Sequence, residues 1–268
     1  NYYAEVWLNG YFLGAHEGGY TPFTLEATGK ALAGENNLMV RVIDPKGPEG
    51  FGEFKPAELP ISKETGYWSF GGIWGSVSLA RLPRSRITGV FVLPDLKNRR
   101  VAVDVTAEQV PEGGEVSLRV EDTPYVCSGA PGRLSLKMDR FEPWSPKQPV
   151  LYRLTAELRH KGVLLDRTSL RFGMREFTVK DNRFHLNHHP IFIRGVLYQP
   201  DYARSLAAPE IDALARKEIE QTKAAGFNLI RVHIKPAPEI LLELADELGM
   251  LVYEEPSIGW IKKSAFMK

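Results

Sequence analysis

The chain has 268 residues, of which 43% are hydrophobic, and its 34 basic and 33 acidic residues give a formal net charge of +1. This length allows two or three domains with packed cores. The charge balance gives no reason to expect a nucleic acid or an anionic membrane as partner, no apolar stretch approaches the ~18 residues that span a bilayer, and the single cysteine, Cys127, excludes an internal disulfide.

The first third of the chain, residues 1–83, has the pattern of an antiparallel β domain. Asn9-Gly10 predicts a tight hairpin turn, because these residue types adopt the positive backbone angles that such turns need. Residues 44–60 are rich in Gly and Pro and predict a long surface loop. Four aromatic residues interleaved with glycines over 66–75 are interpreted as packing between domains, with a carbohydrate platform as the alternative. Strands are predicted at Tyr3–Leu8, Tyr11–Ala15, Leu38–Val42 and Val77–Leu82.

Residues 84–180 predict a second β unit. Short segments with alternating apolar and polar residues are separated by turn clusters such as Pro111–Gly114 and Lys161-Gly162. This spacing is typical of an antiparallel sandwich of immunoglobulin type, and the lack of a Cys–Trp–Cys pattern excludes an antibody-type domain. Strands are predicted at Val90–Val92, Val101–Thr106, Glu115–Glu121, Gly132–Met138, Leu151–His160 and Leu164–Phe172.

The last third of the chain begins with a predicted polar hairpin over 181–190 and then alternates strands and helices. The order strand, helix, strand, helix, strand is typical of a parallel α/β domain, which places its chemistry at the carboxyl ends of its strands. Gly226 and Gly249 follow the two helices, as C-terminal caps do. The predicted elements are Ile191–Val196, Pro209–Gly226, Asn228–His233, Pro238–Gly249 and Met250–Glu254.

Four stretches, spread over nearly the whole chain, match a known family in that family's own order. Any one of them is a weak signal, whereas the ordered set is specific. They are Trp7–Gly10 with His16–Phe23, then Gly71–Trp74, then Trp144–Pro146 with Arg171–Arg175, and last Phe192–Val196 with Gly226–Arg231 and Asp246–Val252. On these residues the chain resembles glycoside hydrolase family 2, which includes β-galactosidases, β-glucuronidases and β-mannosidases.

The resemblance implies a multidomain β plus α/β fold: part of a jelly-roll sugar-binding β-sandwich over 1–83, an immunoglobulin-like β-sandwich over 84–180, and the first three strands of a (β/α)8 TIM barrel over 181–268. It implies a retaining O-glycosyl hydrolase of β-glycosides whose two catalytic glutamates follow the fourth and seventh barrel strands. We therefore expect a fragment, truncated at its N-terminus, with no catalytic residue of its own and no turnover. The alternatives are a non-catalytic carbohydrate-binding or adhesion module and a homologue that has lost the glutamates.

Two candidate substrate-binding residues, Arg231 and His233, lie at the carboxyl end of the second strand of the α/β part. The family carries an arginine at the place of Arg231, near the nucleophile, where a cation would keep that carboxylate ionised and oriented. The alternative is an arginine that pairs with a carboxylate of a neighbouring strand. His233 stands one position away from the family's histidine, and it is interpreted either as a substrate contact or as a surface or core histidine.

The other candidate substrate-binding residues follow the first and third strands. Tyr198, Gln199 and Asp201 lie where a barrel mouth is expected and are able to bond sugar hydroxyls. Trp260 is interpreted either as a platform that stacks on a sugar or as a core residue.

Glu254 and Glu255 are the obvious local candidates for a catalytic pair. Retaining cleavage needs two carboxyl groups roughly 5–5.5 Å apart, but adjacent residues on a strand point to opposite faces. We therefore expect one of the two to line the mouth and the other to be structural, and Glu255 is the candidate substrate-binding residue.

The sequence indicates no metal site and no cofactor. Metal-dependent members of the family carry an acidic ligand and a histidine after the third strand, and residues 256–260 supply neither. His188-His189 lacks a third ligand at metal spacing and predicts a solvated turn. The expected partner is a carbohydrate substrate, with no nucleic acid and no membrane. Self-association through the β domains and the cellular compartment are left open.

Overall fold

The computed structural model describes residues 3–43, 72–200, 202 and 212–255. The predicted loop at 44–60, the start of the first predicted helix, and the candidate residues Asp201 and Trp260 lie outside the described residues. Of the two α-helices within them, neither is long and apolar enough to cross a membrane.

The N-terminal segment forms a three-stranded antiparallel sheet in the order β2-β1-β3. Asn9 and Gly10 have φ angles of 51° and 84°, so the predicted tight turn is confirmed. The Asn9 side chain also closes the sheet end, because its Nδ2 donates to the Lys30 carbonyl at 2.8 Å and its Oδ1 accepts the Asn37 amide at 2.9 Å. The strands are β1 (Tyr3–Leu8), β2 (Tyr11–Glu17) and β3 (Leu38–Ile43).

The prediction of a strand over Val77–Leu82 is wrong. Within the described part of the chain this segment has no ladder partner, and its apolar side chains Val77, Leu79 and Leu82 are exposed. A β-rich local pattern forms a strand only when a neighbouring edge satisfies its backbone groups.

Residues 86–172 form the predicted antiparallel sandwich. A three-stranded sheet in the order β4-β5-β8 faces a four-stranded sheet in the order β10-β9-β6-β7. Every second residue along these strands is buried in the core. Val101, Val103 and Val105 of β5 are buried, and the alternate residues of β6 and β9 face them. The strands are β4 (Arg86–Asp95), β5 (Arg100–Glu108), β6 (Glu115–Val120), β7 (Val126–Gly129), β8 (Gly132–Lys137), β9 (Tyr152–His160) and β10 (Val163–Phe172).

A hairpin links the sandwich to the α/β part, where the sequence predicts one. Asp181 and Asn182 take φ angles of 49° and 56°, and Asn187 and His188 take 52° and 67°, so each connection is a tight turn built by residues that tolerate the left-handed region. The strands are β11 (Phe177–Lys180), β12 (Arg183–Leu186) and β13 (His189–Pro190).

The α/β part is a parallel sheet in the order β14-β15-β16, connected by two helices. Gly249 caps the second helix in the left-handed conformation, with its N–H on the Ala245 carbonyl at 3.0 Å, as predicted. The first strand begins four residues later than predicted, because Ile191 and Ile193 pack around Trp144 instead of joining the sheet. The elements are β14 (Gly195–Tyr198), α1 (Asp212–Ala224), β15 (Leu229–Val232), α2 (Glu239–Leu248) and β16 (Leu251–Glu254).

The two faces of this parallel sheet differ. One face packs on α1 and α2 through a buried cluster that includes Ile230 and Val232. On the other face, Leu197 and Tyr253 are 50% and 56% exposed and flank Arg231 in register. Parallel sheets are normally covered on both faces, so the Arg231 face is the unusual one.

The sandwich and the α/β part meet around Trp144, which is fully buried. Its indole N–H donates to the Asp246 carbonyl of α2 at 2.7 Å, and the Arg175 guanidinium lies 4.5 Å from its ring centroid. Gly249 packs directly on the sandwich side, since a Cβ built there would lie 2.6 Å from the Pro146 carbonyl oxygen. The end of α2 is therefore fixed by contacts that leave no room for an extra methyl group.

Candidate functional site

The candidate side chains collect where the three parallel strands end. Gln199, His233 and Glu255 are each the first residue after their strand, and they lie at the same level of the sheet because β14, β15 and β16 are in register. Strand alternation places them on the face of Arg231, opposite to the helices. Four predicted site residues are thus brought to one end of one sheet face.

Arg231 and Glu255 form an ion pair. Arg231 Nε and Nη2 both donate to Glu255 Oε1, at 2.7 and 2.5 Å, and the Ile234 amide donates to Glu255 Oε2 at 3.2 Å. The Glu255 side chain is 17% exposed and that of Arg231 is 48% exposed. The carboxylate partner named in the alternative interpretation of Arg231 is thus present, and the role of Arg231 in substrate binding stays a prediction.

The environment of Glu255 keeps this carboxyl ionised. Partial burial acts to raise its pKa, but the hydrogen bonds from Arg231 and the Ile234 amide, together with the Arg231 charge, outweigh burial and hold the pKa below its ordinary value. A carboxylate with both oxygens occupied is poorly suited to donate a proton. It is well suited to fix the direction of a guanidinium.

His233 and Gln199 form a second pair beside the first. Gln199 Nε2 lies 3.1 Å from His233 Nδ1, and the His233 amide donates to the Tyr198 carbonyl at 3.0 Å. Since an amide NH2 group only donates, Nδ1 accepts, and the proton of the neutral imidazole is on Nε2. The ring can then donate from Nε2 to a hydroxyl.

Tyr198 lies on the other face of the sheet, toward the helices. Its hydroxyl donates to Glu218 Oε2 of α1 at 2.6 Å, and the Tyr202 hydroxyl donates to the same oxygen at 2.8 Å. Burial, followed by these hydrogen bonds, raises the pKa of Tyr198, so the phenol stays protonated. Its hydroxyl therefore belongs to the packing of β14 on α1.

The two adjacent glutamates separate as the sequence predicts. Glu254 Oε1 accepts the Ala237 amide at 2.7 Å, just before the start of α2, whereas Glu255 is bound to Arg231. Each carboxylate has its own partner on its own side of β16, so they do not form a catalytic pair.

Sequence reasoning missed two residues of the connection after β15. Lys235 is only 2% exposed, and its Nζ donates to the Pro200 carbonyl at 2.5 Å. Ile234 has a φ of 46°, which is rare for a β-branched residue. Neither feature has a sequence signal, because a lysine after a strand is ordinarily solvated and isoleucine disfavours a left-handed turn.

No metal cluster marks the site within the described residues. No group of three or more His, Cys, Asp or Glu side chains converges there as a metal site, and His188 instead pairs with Glu176 at 3.3 Å. A cleft of about 420 Å³ lies between the sandwich and α2, lined by residues such as Arg171 and Glu243. It contains none of the candidate side chains, so the open sheet face remains the candidate site.

Residues 85–175 match the family model described as "Glycosyl hydrolases family 2". A β-galactosidase of Thermoanaerobacter pseudethanolicus is 28% identical over 96% of this chain and 36% of its own length. A putative β-glucuronidase of Formosa agariphila is 26% identical over 95% of this chain and 31% of its own length. A β-glucuronidase of Paenibacillus borealis is 27% identical over 97% of this chain and 46% of its own length.

Solved structures with the same arrangement include an apo β-glucuronidase of Bacteroides uniformis, with 25% identity and a TM-score of 0.77 over 96% of this chain and 34% of that one. A family 2 β-galacturonidase of Eisenbergiella tayi, bound to galacturonate, has 26% identity and a TM-score of 0.78 over 96% of this chain and 46% of that one. The chain thus spans 31–46% of the length of these three curated relatives.

Proposed function

Since this chain is related to glycoside hydrolase family 2 over nearly all of its length, we propose that it supplies part of the substrate site of a retaining β-glycosidase. The relatives are named as glycosidases, and they support a hydrolase as the parent protein. The chain covers a minority of each relative's length, so the activity of the whole protein is part of the proposal.

The observation that carries the proposal is the meeting of Gln199, Arg231, His233 and Glu255 at the carboxyl end of one parallel sheet face. In a (β/α)8 barrel this face is the interior and this end is the mouth, where active sites are built. The exposure of Leu197 and Tyr253 on the same face supports a sheet that further strands would cover. We therefore propose that residues 181–268 open such a barrel, after a jelly-roll domain at 1–83 and an immunoglobulin-like domain at 84–180.

The catalytic pair is proposed to come from other strands of the barrel. A retaining enzyme uses one carboxyl group to protonate the leaving oxygen and a second to attack the anomeric carbon, and the resulting glycosyl-enzyme is released by water. Glu254 and Glu255 are bound to the Ala237 amide and to Arg231. Neither is free for these steps, so we expect no turnover by the 268 residues alone.

Arg231 is proposed to orient the nucleophile. Its Nε and Nη2 are held by Glu255, whereas Nη1 makes no hydrogen bond with the described residues. A guanidinium held on one edge presents its other edge in a fixed direction, which suits a carboxylate that must stay ionised. Glu255 acts through Arg231 in this arrangement.

His233 and Gln199 are proposed to bind sugar hydroxyls. The Nε2–H of His233 donates, while Gln199 sets the tautomer that makes this donation possible. Asp201 and Trp260 remain predictions, as an acceptor for a hydroxyl and as a stacking platform. Tyr198 is assigned to the support of β14, since its hydroxyl is bound to Glu218.

The test is an assay of aryl β-galactoside, β-glucuronide and β-mannoside hydrolysis by two proteins: the 268-residue chain, and the product of the complete reading frame that contains it. We expect hydrolysis with retained anomeric configuration by the second protein only. Turnover by the 268 residues alone would refute the proposed position of the catalytic pair. Sugar binding by the longer protein without any hydrolysis would refute the enzyme and favour a carbohydrate-binding module or a homologue without the glutamates.

A further inference from the structure

The three residues that follow β15 contact the ends of both neighbouring strands. His233 meets Gln199 after β14, the Ile234 amide meets Glu255 after β16, and Lys235 meets the Pro200 carbonyl after β14. We name this segment, residues 233–235, the β15 bridge.

Lys235 is the residue of the bridge whose ammonium group is removed from water. An ammonium group removed from water is strongly unfavourable unless polar groups bind it. Lys235 is nevertheless the one charged side chain classed as buried within the described ranges, and Nζ lies 2.5 Å from the Pro200 carbonyl oxygen. Pro200 is itself buried and directly follows Gln199. The ammonium group therefore binds the backbone at Pro200. The preceding residue, Gln199, is the one whose side-chain amide contacts His233.

Ile234 adds a second unusual feature at the same place. Its φ of 46° lies in the left-handed region, which β-branched residues avoid. This turn sends the Ile234 amide toward Glu255 while its two neighbours contact the end of β14. A strained residue beside a buried cation is explained when the surrounding contacts determine the backbone on both sides.

We propose that Lys235 is a positioning residue of the site: its ammonium group fixes the Pro200 carbonyl, so that Gln199 stays on His233 Nδ1 and the imidazole keeps its proton on Nε2. The effect on catalysis rests on the glycosidase function proposed above. The hydrogen bond between Gln199 and His233 does not rest on that function, because it is present without substrate.

The pair can be tested directly in the 268-residue chain by long-range proton–nitrogen NMR of its histidine rings. We expect Lys235→Met to change the His233 Nδ1 resonance in the same direction as Gln199→Met, because both remove the hydrogen bond. The matched control is Lys223→Met, since Lys223 also donates to backbone carbonyls, those of Pro146 and Leu248, but at the interface with the sandwich. A folded Lys235→Met protein with the native His233 resonance would overturn the proposal.

A measurement on the unmodified chain covers the case in which Lys235→Met does not fold. A buried ammonium group bound to a carbonyl exchanges its protons slowly. The proton resonance of the Lys235 ammonium group should therefore be visible in the NMR spectrum and should show a cross-peak to Pro200. Exchange as fast as that of an exposed lysine such as Lys137 would overturn the proposal.

A double-mutant cycle tests the role in catalysis, in the protein that hydrolyses aryl β-glycosides. We expect Lys235→Met to lower kcat/KM by about 100-fold, the scale of a small misplacement of a substrate-binding group. If Lys235 acts through Gln199, Lys235→Met should lower kcat/KM only slightly further when Gln199→Met is already present. Lys223→Met should change kcat/KM by the same factor in both backgrounds. Independent, multiplying effects of Lys235 and Gln199 would overturn the proposal. An absence of any hydrolysis by that protein would refute the glycosidase function and leave the NMR result to decide the pair.

Discussion

Replacing Gly249 by alanine is expected to destabilise the chain by two separable effects. Gly249 has a φ of +77°, and a residue with a Cβ costs about 1–2 kcal/mol in this region. The built Cβ would also lie 2.6 Å from the Pro146 oxygen and 3.0 Å from its carbonyl carbon and Cα. Backbone atoms cannot rotate away as a side chain does, so relief of this clash adds about 1–3 kcal/mol.

Gly226 provides the matched control, because it follows α1 as Gly249 follows α2. Its φ is +89°, but a Cβ built there meets nothing within 4 Å. Gly226→Ala should therefore show only the backbone cost, about 1–2 kcal/mol, whereas Gly249→Ala should reach roughly 2–5 kcal/mol in total.

The two variants can be compared by urea unfolding followed through circular dichroism and tryptophan fluorescence. We expect Gly249→Ala to unfold at clearly lower urea than Gly226→Ala, with the fluorescence transition affected most because Trp144 lies at the same interface. Equal free-energy losses for the two variants would refute the close approach of α2 to Pro146 and with it the described docking of the α/β part on the sandwich.

Three further predictions concern the interface and the ion pair. Trp144→Phe removes the donor to the Asp246 carbonyl and should cost roughly 1–3 kcal/mol of unfolding free energy by urea titration; an unchanged value would contradict that hydrogen bond. The pKa of Glu255 is lowered from 4.5 in the folded protein, so the pair stabilises above the unfolded pKa and is lost as pH falls through the folded one. Glu255→Gln should therefore lower the free energy of unfolding by about 1 kcal/mol or less at pH 7, and this free energy should fall less steeply below the unfolded pKa than in the native chain. A decline with acid as steep as that of the native chain would refute the pair. In the protein that hydrolyses β-glycosides, Arg231→Lys should lower kcat by about 10²–10³-fold, with little change in stability; native kcat would remove Arg231 from the site.

The sandwich was predictable because its pattern and its partners are local. Val101, Val103 and Val105 alternate with polar residues, and the matching faces of β6 and β9 lie within the same hundred residues. β7 was missed, since Val126–Gly129 is a short edge strand with little apolar pattern. The prediction of a strand over Val77–Leu82 failed for the opposite reason, because this segment has a strand-like pattern without a described partner.

The site was predictable only in part. The carboxyl ends of parallel strands meet at one edge of a sheet, so Arg231 and Glu255 could be expected at the same end of the sheet. The burial of Lys235 and the φ of Ile234 could not, because both depend on how three connections meet in space, and each goes against the ordinary preference of its residue type. The apolar run at Ile191–Ile193 was wrongly predicted to begin the first parallel strand, since it packs on Trp144, which is far away in sequence.

The contact between Ile234 and Glu255 uses the backbone amide and not the isoleucine side chain. Every residue except proline carries that N–H group, so the hydrogen bond to Glu255 does not depend on the isoleucine side chain, and only the φ of 46° restricts the residue type at position 234. Substitution there can alter the shape and polarity of the surface at this end of the sheet without removing the amide that binds Glu255. Position 234 is thus a place where a designed library could vary the proposed substrate site while the Arg231–Glu255 pair stays in place.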